Sequence, residues 1–189
     1  MYKTYHEIEL KFLIDNPRLV HMILKKHKAK FIGKVFEKTL RFDTPNNELE
    51  QMGKFLRIKT GFKNVITFKH KIKNRNFKER EEIELEIEDP IKMRQILENL
   101  GFTKVLIMEK YREKWWLNNT EIDIDKLPMG SFVEIEGKPR EIRQIAKLLQ
   151  LDFTKRITDN YWDLWAIFTR RNGIKSKNIV FNAVKDIKK

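Results

Sequence analysis

The stretch HEIELKF, residues 6–12, alternates without a break: Glu7, Glu9 and Lys11 fall on one side of an extended chain, and Ile8, Leu10 and Phe12 on the other. Successive side chains of a strand point to opposite faces, so this segment reads as a strand with one ionic and one apolar face. Seven further segments carry the same period: KTLRFDT (38–44), FLRIKT (55–60), NVITFKHK (64–71), REEIELEIED (80–89), MEKYREKWWL (108–117), TEIDIDKL (120–127) and SFVEIEG (131–137). Their charges are sorted by sign. Glu82, Glu84 and Glu86 share a face, as do Asp123 with Asp125 and Glu134 with Glu136; cations share faces at Arg57 and Lys59, at Lys69 and Lys71, and at Lys110, Arg112 and Lys114. A solvated strand usually mixes both charges with Thr, Ser and Gln, so whole faces of one sign predict that the ionic faces meet.

Meeting requires the sheet to curve, with Ile8, Leu10, Phe12, Leu56, Ile58, Ile83, Leu85, Ile87, Val133 and Ile135 turned outward beneath helices. The expected fold is α+β: a closed eight-stranded antiparallel β-barrel, with covering helices and a lumen wide enough for a ligand. Helix signals are few. Asn16-Pro17 opens a segment to about Lys30, and Asp89-Pro90 precedes a stripe of Ile91, Ile96, Leu97 and Leu100 that stops at Gly101. Segments 138–151 and 158–173 complete the set, and Trp115, Trp116, Trp162 and Trp165 read as packing residues.

A chain of 189 residues with 41% hydrophobic content builds one core, and no linker or internal repeat interrupts it. The formal charge of +13 favours an anionic partner. About half the excess follows Arg170, which divides the chain into a domain over 1–170 and a basic, solvated tail over 171–189. With no cysteine, a disulfide, a thiolate nucleophile and a Cys-rich zinc site are all excluded. His6, His21, His27 and His70 are scattered without ligand spacing, and neither a membrane-length apolar run nor a secretory leader is recognisable, so the expected location is cytoplasmic.

An inward ionic face is unstable alone, since like charges about 4 Å apart at an effective dielectric near 20 repel by roughly 4 kcal/mol. Crowded carboxylates need protons or cations, and a donor set of oxygens alone selects a hard divalent ion, Mg²⁺ or Mn²⁺. The opposing Lys and Arg residues suit a ligand with several phosphoryl groups.

The segment EIELK (7–11) resembles the E-x-E-x-K signature of the CYTH, or triphosphate tunnel metalloenzyme, superfamily, which includes class IV adenylate cyclases, thiamine triphosphatases and inorganic or RNA triphosphatases. The order of RFDTPNNELEQMGKFLRIK (41–59), TFK (67–69), REEIELE (80–86), EKYR (109–112) and IDKLPMGSFVEIEG (124–137) is similar to the same family, over roughly residues 2 to 165. The resemblance implies a tunnel holding a triphosphate and one or two divalent ions, with Glu7, Glu9, Lys11 and Glu136 at the catalytic centre. It assigns Glu7, Glu9, Glu82, Glu84, Asp125, Glu134 and Glu136 to metal, and Lys11, Arg57, Lys59, Lys69, Arg80, Lys110 and Arg112 to phosphate. Lys59 stands where a second arginine is more usual, and the LPMG turn is a residue shorter than in many cyclases.

The implied activity is metal-dependent hydrolysis of tripolyphosphate, ATP or thiamine triphosphate. The alternatives are a class IV adenylate cyclase releasing pyrophosphate and a catalytically inactive module binding polyphosphate or RNA. A homodimer is implied by the resemblance alone, and no membrane partner is expected.

Overall fold

The structure is a computed structural model that describes residues 5–72 and 78–188, with the side chains of 5–7, 71, 72, 78–80 and 186–188 outside the description. Eight strands form: β1 (Tyr5–Ile14), β2 (Lys30–Asp43), β3 (Lys54–Thr60), β4 (Val65–Ile72), β5 (Lys78–Glu86), β6 (Lys104–Leu117), β7 (Thr120–Leu127) and β8 (Gly130–Glu136). All the strand pairings are antiparallel, and the hydrogen-bonded order β1-β5-β4-β3-β2-β6-β7-β8 returns to β1 as a closed barrel. Closure is staggered. The first half of β1, from Tyr5 to Glu9, pairs with β5, and the second half, from Glu9 to Ile14, pairs with β8.

Helices cover parts of the outer surface. α1 (Pro17–Lys26) starts where the Asn16 side chain accepts the Leu19 N–H, and α4 (Pro139–Leu148) starts where Glu141 accepts the Lys138 N–H. Val20, Ile23 and Leu24 of α1 and Ile142, Ile145 and Ala146 of α4 form one core with Leu10, Phe12, Ile122, Val133 and Ile135. α2 (Glu48–Gln51) and α3 (Pro90–Asn99) sit near Phe42, Leu56 and Ile58, where Leu97 is the buried residue of α3. α5 (Tyr161–Asn172) instead contributes Tyr161 and Trp165 to a cluster with Met108, Leu127 and Phe132. No helix among the described residues is long and apolar enough to cross a membrane.

Four expectations change. α1 ends at Lys26, and β2 begins at Lys30, eight residues before the alternation of KTLRFDT. A bulge between Phe31 and Gly33 shifts the β2–β6 register and conceals the period there. Ile83 and Leu85 do point outward, but they are 46% and 61% exposed, since among the described residues no helix packs extensively on β5. The stripe on α3 reduces to Leu97, as Ile91, Ile96 and Leu100 remain exposed. Finally, the basic segment after Arg170 is not simply solvated: Ile179 is fully buried, and it bridges Met108 where β6 extends beyond β7.

Candidate active site

Directly opposed residues in a ladder share a face, so the register places the charges. Glu9 lies opposite Glu136, which lies opposite Glu121, giving three carboxylates in one row across β1, β8 and β7. The next row reads Lys11, Glu134, Asp123 and Lys114. Across the barrel, Arg57 opposes Thr67 and Thr67 opposes Glu84, while Lys69 opposes Glu82 and Glu37 opposes Lys110. These faces enclose a cavity of about 470 Å³, within the size range of small-ligand sites.

Among the described residues, the wall of the cavity carries seven carboxylates (Glu9, Glu82, Glu84, Glu121, Asp123, Glu134, Glu136) and six cations (Arg57, Lys59, Lys69, Lys110, Arg112, Lys114). Arg112 is the hub. It donates to both Asp125 oxygens at 2.6 and 2.7 Å, lies 2.6 Å from Asp123 and also donates to Glu134. Lys110 reaches Asp125 at 2.9 Å and Glu37 at 3.3 Å; Lys69 lies 2.7 Å from Glu82, and Lys114 lies 2.5 Å from Glu121.

Crowding perturbs the acids and bases. Burial alone would raise Glu37, but Lys110, Arg112, Lys59 and Arg57 outweigh it and hold the carboxyl at about 2. Burial pushes Asp123 up to about 7 against the pull of Arg112, with Asp125 and Glu121 adding to the rise. Burial and the adjacent Arg57 depress Lys59 to about 8, with Glu37 opposing. Lys59 therefore carries its full charge only below about pH 8. Tripolyphosphate affinity is expected to weaken about tenfold as pH rises from 7 to 9, the loss of one charge-assisted contact. Lys59→Arg should remove that limb from the Kd profile, and an unchanged limb in the variant would assign it elsewhere.

The side chains of Glu7 and Arg80 lie outside the described residues. Of the remaining expected residues, Glu9, Arg57, Lys59, Lys69, Glu82, Glu84, Lys110, Arg112, Glu134 and Glu136 line the cavity. Lys11 and Asp125 do not. Lys11 is 1% exposed, bonded to Glu134 and held 4.3 Å from the Tyr161 ring centroid. Asp125 is fully buried, and its oxygens accept from Lys110, Arg112 and the Tyr161 hydroxyl, so it braces these cations from beneath the wall. Lys114, Glu121 and Asp123 line the cavity beyond the expected set, and Glu37 joins the site behind them through its ion pair with Lys110. The alternation of TEIDIDKL marks Glu121 and Asp123 as well as Asp125, whereas Glu37 precedes the recognisable part of β2. Tyr161 and Trp162 carry no strand period, because they reach the cavity from the first turn of α5.

A CYTH domain model matches residues 5–158. The chain belongs to the CYTH family. A Methanocaldococcus jannaschii protein, provisionally named an adenylate cyclase, is 36% identical over 146 residues, covering 76% of this chain and 83% of that protein. The solved structure of the Pyrococcus horikoshii protein PH1012 is 29% identical with a TM-score of 0.70, and the match covers 82% of this chain and 96% of that one. The fold is also shared by the Hippeastrum protein HpAC1, at 18% identity and a TM-score of 0.59, covering 87% of this chain and 96% of that one. The matched region ends just before Asn160, where α5 begins.

Proposed function

We propose that this CYTH protein is a divalent-metal-dependent triphosphatase acting on an inorganic or organic triphosphate inside its barrel. The observation that carries the reading is the charge of the wall: among the described residues seven carboxylates stand against six cations, a balance that does not favour a polyanion by electrostatics alone. Like charges directly opposed destabilise a ladder, and Glu9, Glu136 and Glu121 occupy consecutive positions of one row. Mg²⁺ or Mn²⁺ suits this row, since Mg²⁺ is usually bound by one or two carboxylates together with water and substrate phosphates. Glu9 and Glu136 would hold such an ion, which when bound supplies charge neutralisation and an activated water.

The chain's own contribution is positioning. Arg57, Lys59, Lys69, Lys110 and Arg112 clamp the phosphoryl oxygens, exchanging their carboxylate partners for phosphate, and Asp125 keeps Lys110 and Arg112 aimed. Transfer then needs little covalent help from the protein. The cyclase reading uses the same clamp, with the ribose hydroxyl attacking the α-phosphorus and pyrophosphate leaving. The M. jannaschii relative carries the cyclase name, whereas HpAC1 is described as having a dominant triphosphatase activity. The RFDTPNNEL segment, similar to the triphosphatase form, favours hydrolysis here.

The test incubates the protein with tripolyphosphate or ATP, in Mg²⁺ or Mn²⁺, and follows orthophosphate, pyrophosphate and cyclic AMP together. Orthophosphate from tripolyphosphate is the expected product. Cyclic AMP with stoichiometric pyrophosphate would replace hydrolysis by cyclisation, and binding that survives EDTA without turnover would make the protein a capture module.

A further inference from the structure

One end of the cavity is aromatic. Phe55 and Trp162 both line it, with ring centroids 5.6 Å apart and planes inclined at 58°. The two tryptophans of α5 are held differently. Trp165 is 2% exposed and donates its Nε1–H to the Ser176 carbonyl at 3.0 Å, as a packing residue should. Trp162 is only half-buried, its Nε1 is enclosed without a hydrogen-bond partner, and packing alone fixes its ring beside the cavity.

The aromatic end is continuous with the phosphate clamp. Phe55 stands directly opposite Lys69 in the β3–β4 ladder, and Arg57 follows two positions later on the same face. A ligand with its phosphates among these cations would carry its remaining group against Phe55 and Trp162. From this juxtaposition we infer that the Phe55–Trp162 wall is the seat of a planar heterocycle, making nucleoside triphosphates the preferred substrate class of the tunnel. The inference rests on the triphosphatase reading and narrows it.

Arg41 selects the kind of ring. Its guanidinium carbon lies 5.2 Å from the Phe55 centroid and 5.6 Å from that of Trp162, placing a positive charge behind both rings, with the half-exposed Glu50 carboxylate 3.2 Å from its Nη2. A cationic heterocycle such as the thiazolium of thiamine meets that charge, whereas a neutral nucleobase stacks without repulsion. Stacking tolerates any base, so the wall chooses nucleobase over cation and over no ring, but not one base over another.

The test compares kcat/KM, measured as loss of substrate in Mg²⁺, for ATP, thiamine triphosphate and tripolyphosphate. The proteins are the full chain, Trp162→Leu and Trp162→Phe. ATP should be preferred over thiamine triphosphate by the full chain. The ATP-to-tripolyphosphate ratio should fall about tenfold in Trp162→Leu, the loss expected when a stacked base loses its aromatic partner. Trp162→Phe keeps a ring and should hold the ratio within about threefold of the original, distinguishing loss of the seat from disturbance of α5. Equal falls for all three substrates, or an unchanged ratio, would overturn the seat while leaving the triphosphatase reading intact. If nothing is turned over, the hydrolase reading fails, and the same ratios are read from dissociation constants of the intact ligands. Equal affinity for ATP and tripolyphosphate in that measurement also overturns the seat.

Discussion

Glu9→Gln is expected to lower metal-dependent turnover of tripolyphosphate by about a thousandfold, roughly 4 kcal/mol of transition-state stabilisation, while the protein remains folded. The amide keeps the shape of the side chain and one acceptor oxygen but removes the charge that would hold a divalent ion. Folding should suffer little, because Glu9 faces Glu136 directly, and the repulsion relieved by removing one of two opposed carboxylates offsets the lost attraction to Lys11, 3.9 Å away. Activity and stability should therefore move apart, with a melting temperature close to that of the parent. Turnover within tenfold of the parent at saturating Mg²⁺ would remove Glu9 from the metal site.

Asp125→Asn should act in the opposite way, on the fold first. Asp125 is fully buried and accepts from Lys110, Arg112 and Tyr161, so its charge is the counterweight beneath the clamp. Breaking a buried pair by neutralising one partner typically costs about 3–5 kcal/mol, because it leaves the other charge uncompensated. At 2–4 °C per kcal/mol for a domain of this size, the melting temperature should fall by roughly 10 °C. Added tripolyphosphate should restore part of that loss by binding the native state and partnering the stranded cations. A melting temperature within 2 °C of the parent would show that Glu37 and Glu134 can carry the cations without Asp125.

These two carboxylates mark the boundary of what the sequence made legible. The alternation of HEIELKF and the sign-sorted faces of the other strands give the antiparallel barrel and the inward set, because a period of two and a closed ladder leave no other arrangement for such faces. Depth along the barrel is a different quantity. Glu9 and Asp125 look equivalent as inward acids, yet one lines the cavity and the other lies beneath it, since α5 fills the end where Asp125 sits. An α-helix packed over one end of a barrel carries no signature in the strand pattern. Tyr161 and Trp162 thus resemble ordinary helix residues until the chain is folded. Glu37 escapes for another reason: the Phe31–Gly33 bulge breaks the alternation that would have identified its strand.

Lys59 adds a sign that can be checked independently. Its depressed pKa means that the unfolded chain binds more protons than the native protein between about pH 8 and its ordinary value near 10.5. Stability of the empty protein should rise through that window. Ligand affinity should fall there.

The staggered join on β1 has a consequence for how the molecule is reached from its unfolded chain. Lys11 and Glu134 are 123 positions apart, and their contact exists only when the first strand meets the last. Hairpins such as β3–β4 and β7–β8 join neighbours in sequence and can form early, whereas the β1–β8 ladder must close the longest loop of any strand pairing in the barrel, the kind of contact that slows folding most. The row Glu9, Glu136 and Glu121 is assembled by that same closure. Partly folded chains therefore carry the cationic strands without the complete acidic row, and would attract polyanions before any selectivity for triphosphate exists.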